Sequence, residues 1–316
     1  MAVAAGALRF NSDSQKMELY DGNQWVEIVA SSPDSQTGGA RGVFSGGETP
    51  NTNIIDYITI SSTGNALDFG DNSSIQHLQA GVSSSTRGCF GGGRTPVALN
   101  NIEYVTISST GNATDFGDLT VARLNCAEVS NSTRGIFATG SLGPANTNVI
   151  DYITIASTGD AKDFGDTGDT GGASGCSSST RGIIGQGTSI EFITISTLGN
   201  TAEFGTRTFN ASASFSNSIR GIFGGNNPSV NTIEYITIAT LGNSIDFGDL
   251  TLGGGEMRGA ASPTRGVFAG GNRPTPTRTN VIDYITIMSI GNAIDFGDLT
   301  QARSGAAAVS NGHGGL

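Results

Sequence analysis

Between residues 41 and 311 short apolar runs alternate with polar, glycine-punctuated stretches, and the same order of runs recurs six times. Each unit opens on an Arg-Gly pair, at Arg41, Arg87, Arg134, Arg181, Arg220 and Arg265. An apolar run ending in glycine follows, such as Gly266-Val267-Phe268-Ala269-Gly270-Gly271. A variable stretch rich in Asn, Thr and Pro leads to a second run of Ile-acid-aromatic type, such as Ile55-Asp56-Tyr57-Ile58-Thr59-Ile60. A Gly-Asn or Gly-Asp turn precedes a third run that closes on Asp-Phe-Gly-Asp, as at Asp68 to Asp71. Small residues such as Asn125-Cys126-Ala127-Glu128-Val129-Ser130 complete the unit. Runs this short, rich in Ile, Val and Phe and bounded by Gly, Asn and Pro, predict four strands per unit. No stretch shows helical periodicity.

Four-strand units of about 45 residues fit propeller blades, whereas solenoid repeats of that period are mostly helical. The first unit enters at its second strand, because Ser31-Ser32-Pro33-Asp34-Ser35-Gln36 reads poorly as a strand. The last unit is followed by one extra small-residue strand, Ser304 to Asn311. The fold class expected is therefore all-β: a six-bladed β-propeller whose first blade is completed by the C-terminal strand. The expected division is 1–29 as a small β-meander, 30–40 as linker and 41–316 as propeller. The meander has turns at Asn11–Ser14 and Asp21–Asn23 and carries the single Trp of the chain. Three strands of that size need a partner surface to be stable.

Composition narrows the chemistry. A net charge of −11 argues against non-specific nucleic-acid binding, which needs a basic face. No apolar run of about 20 residues suggests a membrane span, and the first residues lack the basic region of a secretory signal. Cys89, Cys126 and Cys176 form no CxxC pair, so neither a disulfide framework nor a zinc site is expected. His77 and His313 are the only histidines, and each reads as a surface or strand residue rather than a ligand. No cofactor or metal is expected, although calcium held by the second Asp of Asp-Phe-Gly-Asp, at Asp118 or Asp298, stays open on oxygen-rich loops.

A residue present in every unit is better suited to joining units than to an asymmetric catalytic site. The repeat arginine is accordingly expected to pair with a repeat acid, Asp56, Glu103, Asp151, Glu191, Glu234 or Asp283, of its own or a neighbouring unit. Asp-Phe-Gly also marks protein kinases, but no nucleotide loop, lysine strand or catalytic loop accompanies it here. Its Phe is read as blade-to-blade packing and its Gly as a turn former. Glycine pairs such as Gly46-Gly47 and Gly270-Gly271 precede no helix, so they are not an anion-binding fingerprint.

Units differ most between the first and second runs, in Glu48-Thr49-Pro50-Asn51, Arg94-Thr95-Pro96-Val97, Ser141-Leu142-Gly143-Pro144, Asn227-Pro228-Ser229 and Asn272-Arg273-Pro274-Thr275-Pro276-Thr277-Arg278. On a propeller these loops share one face, and loops on a rigid scaffold commonly carry recognition. The candidate binding residues are Thr49, Pro50, Arg94, Pro96, Leu142, Pro144, Asn227, Pro228, Arg273, Pro276 and Arg278. Relaxed constraint on solvent loops explains the same variation.

The Gly-Gly strand, the acid-aromatic strand and the late aromatic make residues 41–311 similar to kelch-type propeller repeats, with Phe, as at Phe116 or Phe296, where kelch repeats carry Trp. The stretch Leu8-Arg9-Phe10-Asn11-Ser12, followed by Leu19-Tyr20-Asp21-Gly22 and Trp25, resembles a short module of bacteriophage tail-fibre and related virion proteins, including those of phages of marine cyanobacteria. That resemblance implies a non-enzymatic virion structural protein: a tail fibre, tail accessory or capsid decoration, made in the host cytoplasm and carried on the particle. Its N-terminal module, through Phe10, Tyr20 and Trp25, would bind other virion proteins. Its propeller head would bind virion partners, a host receptor or a glycan, and a homo-oligomer fits the same reading. Two alternatives stand beside it. One is a cellular protein-interaction propeller. The other is a glycan-acting propeller enzyme using paired carboxylates, against which every prominent acid belongs to the repeat.

Overall fold

The computed structural model describes residues 4–11, 16–27, 40–226, 230–273 and 278–316, and these contain strands and no helix. The chain divides into two units, Met1–Thr37 and Gly38–Leu316. In the first, β1 (Leu8–Asn11), β2 (Lys16–Tyr20) and β3 (Trp25–Glu27) form an antiparallel meander in that order. Asp21 forms the second turn, its carboxylate accepting the N–H groups of Asn23 (2.7 Å) and Gln24 (2.9 Å). Of the first expected turn only Asn11 is described, as the last residue of β1, and all of the expected linker except Ala40 lies outside the described residues.

The second unit holds six four-stranded antiparallel sheets. The first contains β4 (Arg41–Gly47), β5 (Thr52–Thr59) and β6 (Leu67–Asp71). The second is β7 (Ala80–Ser83), β8 (Arg87–Gly91), β9 (Asn101–Thr106) and β10 (Thr114–Asp118). The third is β11 (Ala127–Ser130), β12 (Arg134–Ala138), β13 (Val149–Thr154) and β14 (Lys162–Asp166). The fourth is β15 (Ala173–Ser177), β16 (Arg181–Gln186), β17 (Ser189–Thr194) and β18 (Ala202–Thr206). The fifth is β19 (Ala213–Ser216), β20 (Arg220–Asn226), β21 (Val230–Thr237) and β22 (Ile245–Asp249). The sixth is β23 (Arg258–Ala261), β24 (Arg265–Ala269), β25 (Val281–Thr286) and β26 (Ile294–Asp298). The fourth strand of the first sheet comes from the far end of the sequence: β27 (Ala307–Ser310) pairs with β4, Ala307 opposite Ser45 and Ser310 opposite Gly42. This is the C-terminal strand expected from the pattern, in a shorter form.

The apolar interior lies between sheets. Six buried clusters each draw side chains from two consecutive sheets, and one of them joins the sixth sheet to the first through Phe296, Leu299, Phe44 and Ile60. The Asp-Phe-Gly phenylalanines are buried in these clusters, as their expected packing role requires, at roughly 1.5–3 kcal/mol of burial each. Each also meets the aromatic of the neighbouring strand edge-on, at centroid distances of 5.9 Å (Tyr57–Phe69) to 6.3 Å (Phe192–Phe204).

The glycine after that phenylalanine is not a turn former. Gly117 sits within β10 at a bulge, with φ +144°. A Cβ there would lie 2.6 Å from the Gly159 carbonyl of the next sheet. Only glycine permits that approach, over which the Gly159 N–H reaches the Phe116 carbonyl at 2.7 Å. The same bond recurs at every junction, including Gly64 to Phe296 (2.8 Å) between the first and sixth sheets.

Candidate functional site

The repeated charges are engaged between sheets, but not with one another as expected. Each repeat arginine lies over the aromatic of the neighbouring strand, from 4.3 Å (Arg87 over Tyr104) to 4.8 Å (Arg134 over Tyr152) from the ring centroid. Its Nη1 donates to an isoleucine carbonyl of the following sheet: Arg41 to Ile107 (3.0 Å), Arg134 to Ile195 (2.9 Å), and Arg265 to Ile60 (3.1 Å) in the first sheet. Register explains why the acid is out of reach. Arg134 stands opposite Thr154, whereas Asp151 stands opposite Phe137, at the other end of the pair.

The acids instead accept hydrogen bonds from the segment that arrives from the preceding sheet. The Thr120 N–H and hydroxyl donate to Asp151 (3.0 and 2.6 Å), and Thr300 does the same to Asp56 (3.1 and 2.6 Å). Where an acid has an arginine, it comes from outside the repeat motif: Arg123 to Asp151 at 2.9 Å, Arg303 to Asp56 at 3.0 Å, and Arg273 near Asp283 at 3.6 Å. Arg207, its pKa drawn down to about 10 by burial, is opposed in that by the Glu234 carboxylate.

Arg273 is therefore a buried structural residue and not the exposed loop contact expected; its Nη1 also donates to the Leu252 carbonyl (2.8 Å). Asn227, Pro228 and Pro276 lie outside the described residues. The other candidate loop residues are at the surface, with Thr49, Pro50, Arg94, Pro96, Leu142 and Pro144 exposed and Arg278 half-buried. Short bridges, Glu48 to Ser304, Arg94 to His77 and Ser141 to Leu124, tie the loop bases to the segments entering their own sheets.

One of these arginines and a histidine converge on Glu48. Arg278 Nη2 lies 3.1 Å from Glu48 Oε1, and His77 Nε2 lies 3.4 Å from Glu48 Oε2. Arg94 Nε donates to the same His77 nitrogen at 2.9 Å. Burial of His77 holds its pKa below the usual histidine value, against the pull of Glu48. The neutral ring can thus accept from Arg94. His77 is a buried link between loops of the first and second sheets, where the sequence suggested a surface or strand residue. Among the described residues, Leu142 and Pro144 have no hydrogen bond or ion pair to this cluster.

The strands β7, β11, β15, β19, β23 and β27, each at one edge of its sheet, contact one another in succession, and β27 contacts β7. Serines link them: the Ser83 N–H reaches Ser130 Oγ (3.1 Å), the Ser177 N–H reaches Ser216 Oγ (3.0 Å), and Ser83 Oγ donates to the Ser310 carbonyl (2.8 Å). A cavity of about 50 Å³ lies among them, bordered by Glu128, Ser130, Ser177, Ser216 and His313. Burial pushes the Glu128 carboxyl up to about 7, partly offset by Arg258, and pulls His313 down to about 4. His313 is not a plain surface residue. Its Nε2 lies 2.9 Å from the Ser83 carbonyl, while the Gly314 N–H donates to the Ser216 carbonyl (2.9 Å). The tail after β27 thereby crosses from the second sheet to the fifth. Nothing in the pattern of Asn311-Gly312-His313-Gly314-Gly315 signals this, and only the glycines hint at close backbone approach.

In the N-terminal unit the Tyr20 and Trp25 rings meet at a tilt of 50° with centroids 5.3 Å apart, and Arg9 covers the Trp25 ring at 4.2 Å while bonding Glu18 (2.7 Å). The side chain of Phe10 lies outside the described residues. Among the described residues no group of three His, Cys, Asp or Glu is placed to hold a metal ion. No protein-family model matches the chain, and no curated protein sequence matches it significantly.

Proposed function

We propose that the six sheets are the blades of a six-bladed β-propeller, closed by β27, and that this propeller is the rigid, non-enzymatic binding head of a virion structural protein. The observation that carries the reading is the unbroken succession of sheet-to-sheet contacts. Apolar clusters, Phe carbonyl bonds and repeat-arginine bonds join every sheet to the next and the sixth to the first. Such a scaffold holds the repeat arginines, the strand acids and the Asp-Phe-Gly phenylalanines at its junctions and leaves the variable loops to recognition. The Glu48 cluster, with exposed Arg94, Thr49, Pro50 and Pro96 around it, is the surface on which the head meets a virion partner, a host receptor or a glycan.

Assignment to a virion is supported by the resemblance of the N-terminal unit to tail-fibre modules, and its Tyr20–Trp25 aromatic pair suits an attachment surface. The test is quantitative mass spectrometry of purified particles from a phage that encodes this chain, followed by imaging of the particle. Stoichiometric copies with a six-lobed ring density support the proposal. Absence from the particle would leave a cellular interaction propeller, and density without the ring would remove the propeller as well.

A further inference from the structure

Three of the five buried repeat acids lie within 3.6 Å of an arginine, Asp56, Asp151 and Asp283, and a fourth, Glu234, acts electrostatically to raise the pKa of Arg207. Glu191, the sixth repeat acid, is half-buried and accepts from Gly168 N–H and Thr201 Oγ. Glu103 is the exception. It is 3% exposed, its Oε1 accepts from the Ser73 N–H and hydroxyl, and its Oε2 is buried without a hydrogen-bond partner.

The cause is a substitution between units. Arg123 and Arg303 each follow three residues after the threonine that caps the acid, in Thr120-Val121-Ala122-Arg123 and Thr300-Gln301-Ala302-Arg303. In the segment entering the second sheet the same spacing gives Ser73-Ser74-Ile75-Gln76. Gln76 is fully buried, like the two arginines, but shorter and uncharged, and its Nε2 donates to Ser74 Oγ (3.0 Å) rather than to Glu103. Its Oε1 accepts from both Gln79 Nε2 (2.9 Å) and Asn101 Nδ2 (3.3 Å), which brings two further amides together there. The remaining oxygens of those amides, Gln79 Oε1 and Asn101 Oδ1, are also buried without partners. In the third and first sheets the guanidinium meets the acid and two strand carbonyls, for Arg123 those of Val149 (3.0 Å) and Phe137 (3.1 Å). Asn101 and Phe90 hold the corresponding places in the second sheet, Phe90 standing opposite Glu103 as Phe137 stands opposite Asp151.

We propose that a hard metal cation, held by Glu103 Oε2 with the side-chain oxygens of Gln79 and Asn101, takes the part at this junction that a guanidinium plays at its sisters. Oxygen-only donors with one carboxylate suit Ca²⁺ or Na⁺, and an ionised carboxylate this deeply buried is costly without a positive partner. This site adjoins the loop cluster through His77, which lies between Gln76 and Gln79, but does not rest on any virion role.

The test is calorimetric unfolding of the whole chain, stripped with chelator into choline chloride and then titrated with CaCl₂ or NaCl in separate arms. At ~100-fold excess over its dissociation constant the bound cation raises the midpoint by roughly 5–10 °C. Gln76→Arg, which supplies the guanidinium of the sister junctions, removes that response while keeping the midpoint of the metal-loaded protein. Glu103→Gln removes the response as well, and stands alone as the control if Gln76→Arg does not fold. A midpoint that is the same in Ca²⁺, Na⁺ and choline overturns the proposal, as does a cation response that survives undiminished in the folded variants.

Discussion

Arg303→Ala and Arg265→Ala together separate the two kinds of arginine in this fold. Arg303 is fully buried, 3.0 Å from an equally buried Asp56, and its other Nη2 bond goes to the Phe44 carbonyl (3.2 Å). Removing it leaves a buried carboxylate whose remaining partners are the Thr300 N–H and hydroxyl. Breaking a buried pair costs about 3–5 kcal/mol. The two surviving bonds lower that figure, and the lost carbonyl bond restores about 1 kcal/mol to it, so a loss of about 4 kcal/mol is expected. For a domain of this size that is roughly 8–16 °C in Tm.

Arg265 leaves no charge stranded. Its truncation removes a stack on Tyr284 at 4.3 Å and one bond to a neutral carbonyl, about 1–2 kcal/mol in total. Urea unfolding followed by circular dichroism measures both, with the slopes compared to confirm that the same transition is observed. The double change Arg303→Met with Asp56→Leu regains most of the loss, because the uncompensated charge goes with it. A cost for Arg303→Ala no greater than that for Arg265→Ala, or a double variant as unstable as Arg303→Ala alone, would mean that no stranded charge governs the loss.

Three further outcomes follow from the geometry. Gly117→Ala places a methyl group against the Gly159 carbonyl at a φ of +144°, and a loss of about 2–4 kcal/mol in chemical denaturation is expected. His313 titrates near 4 in the folded chain and near 6.5 unfolded, so the unfolded state binds the extra proton between those values and stability falls as pH drops through that window. After discounting for partial exposure the effect is about 1–2 kcal/mol, and a His313→Gln variant compared with the parent at pH 7.5 and 4.5 should lack it. Glu128 has the opposite sign: its folded value of about 7 means that stability is lost as pH rises from 4.5 to 7, so Glu128→Gln should gain about 1–2 kcal/mol at pH 8 and nothing at pH 4. Equal gains at both pH values would mean that the carboxylate's charge is not what matters at that position.

Strand positions and the C-terminal partner of β4 were legible because each strand repeats six times with the same punctuation, so a single ambiguous run is corrected by its copies. The role of the repeat arginine was not. Arginine and acid recur with equal regularity, and periodicity says nothing of which end of a strand pair each occupies; register puts Arg134 beside Tyr152 and away from Asp151. The true partners of the acids come from different places, Arg123 from the segment before β11 and Arg273 from the loop after β24. An irregular source leaves no period to read. The meeting of Glu48, His77, Arg94 and Arg278 was half visible, since three of the four stand in or beside variable loops, but the buried histidine that links two of them carries no sequence signal.

Because Arg41 bonds a residue 270 positions later, the first four-stranded sheet to be translated is the last to be finished. At ~5–20 residues per second the ribosome takes on the order of 10–50 s to deliver Ala307 after Gly47 has emerged. Throughout that interval β4 carries an open edge able to capture the wrong strand. A second nascent chain on the same message would offer its own copy of Ala307–Ser310 to that edge, so exchange of the tail between molecules is the misassembly this topology favours.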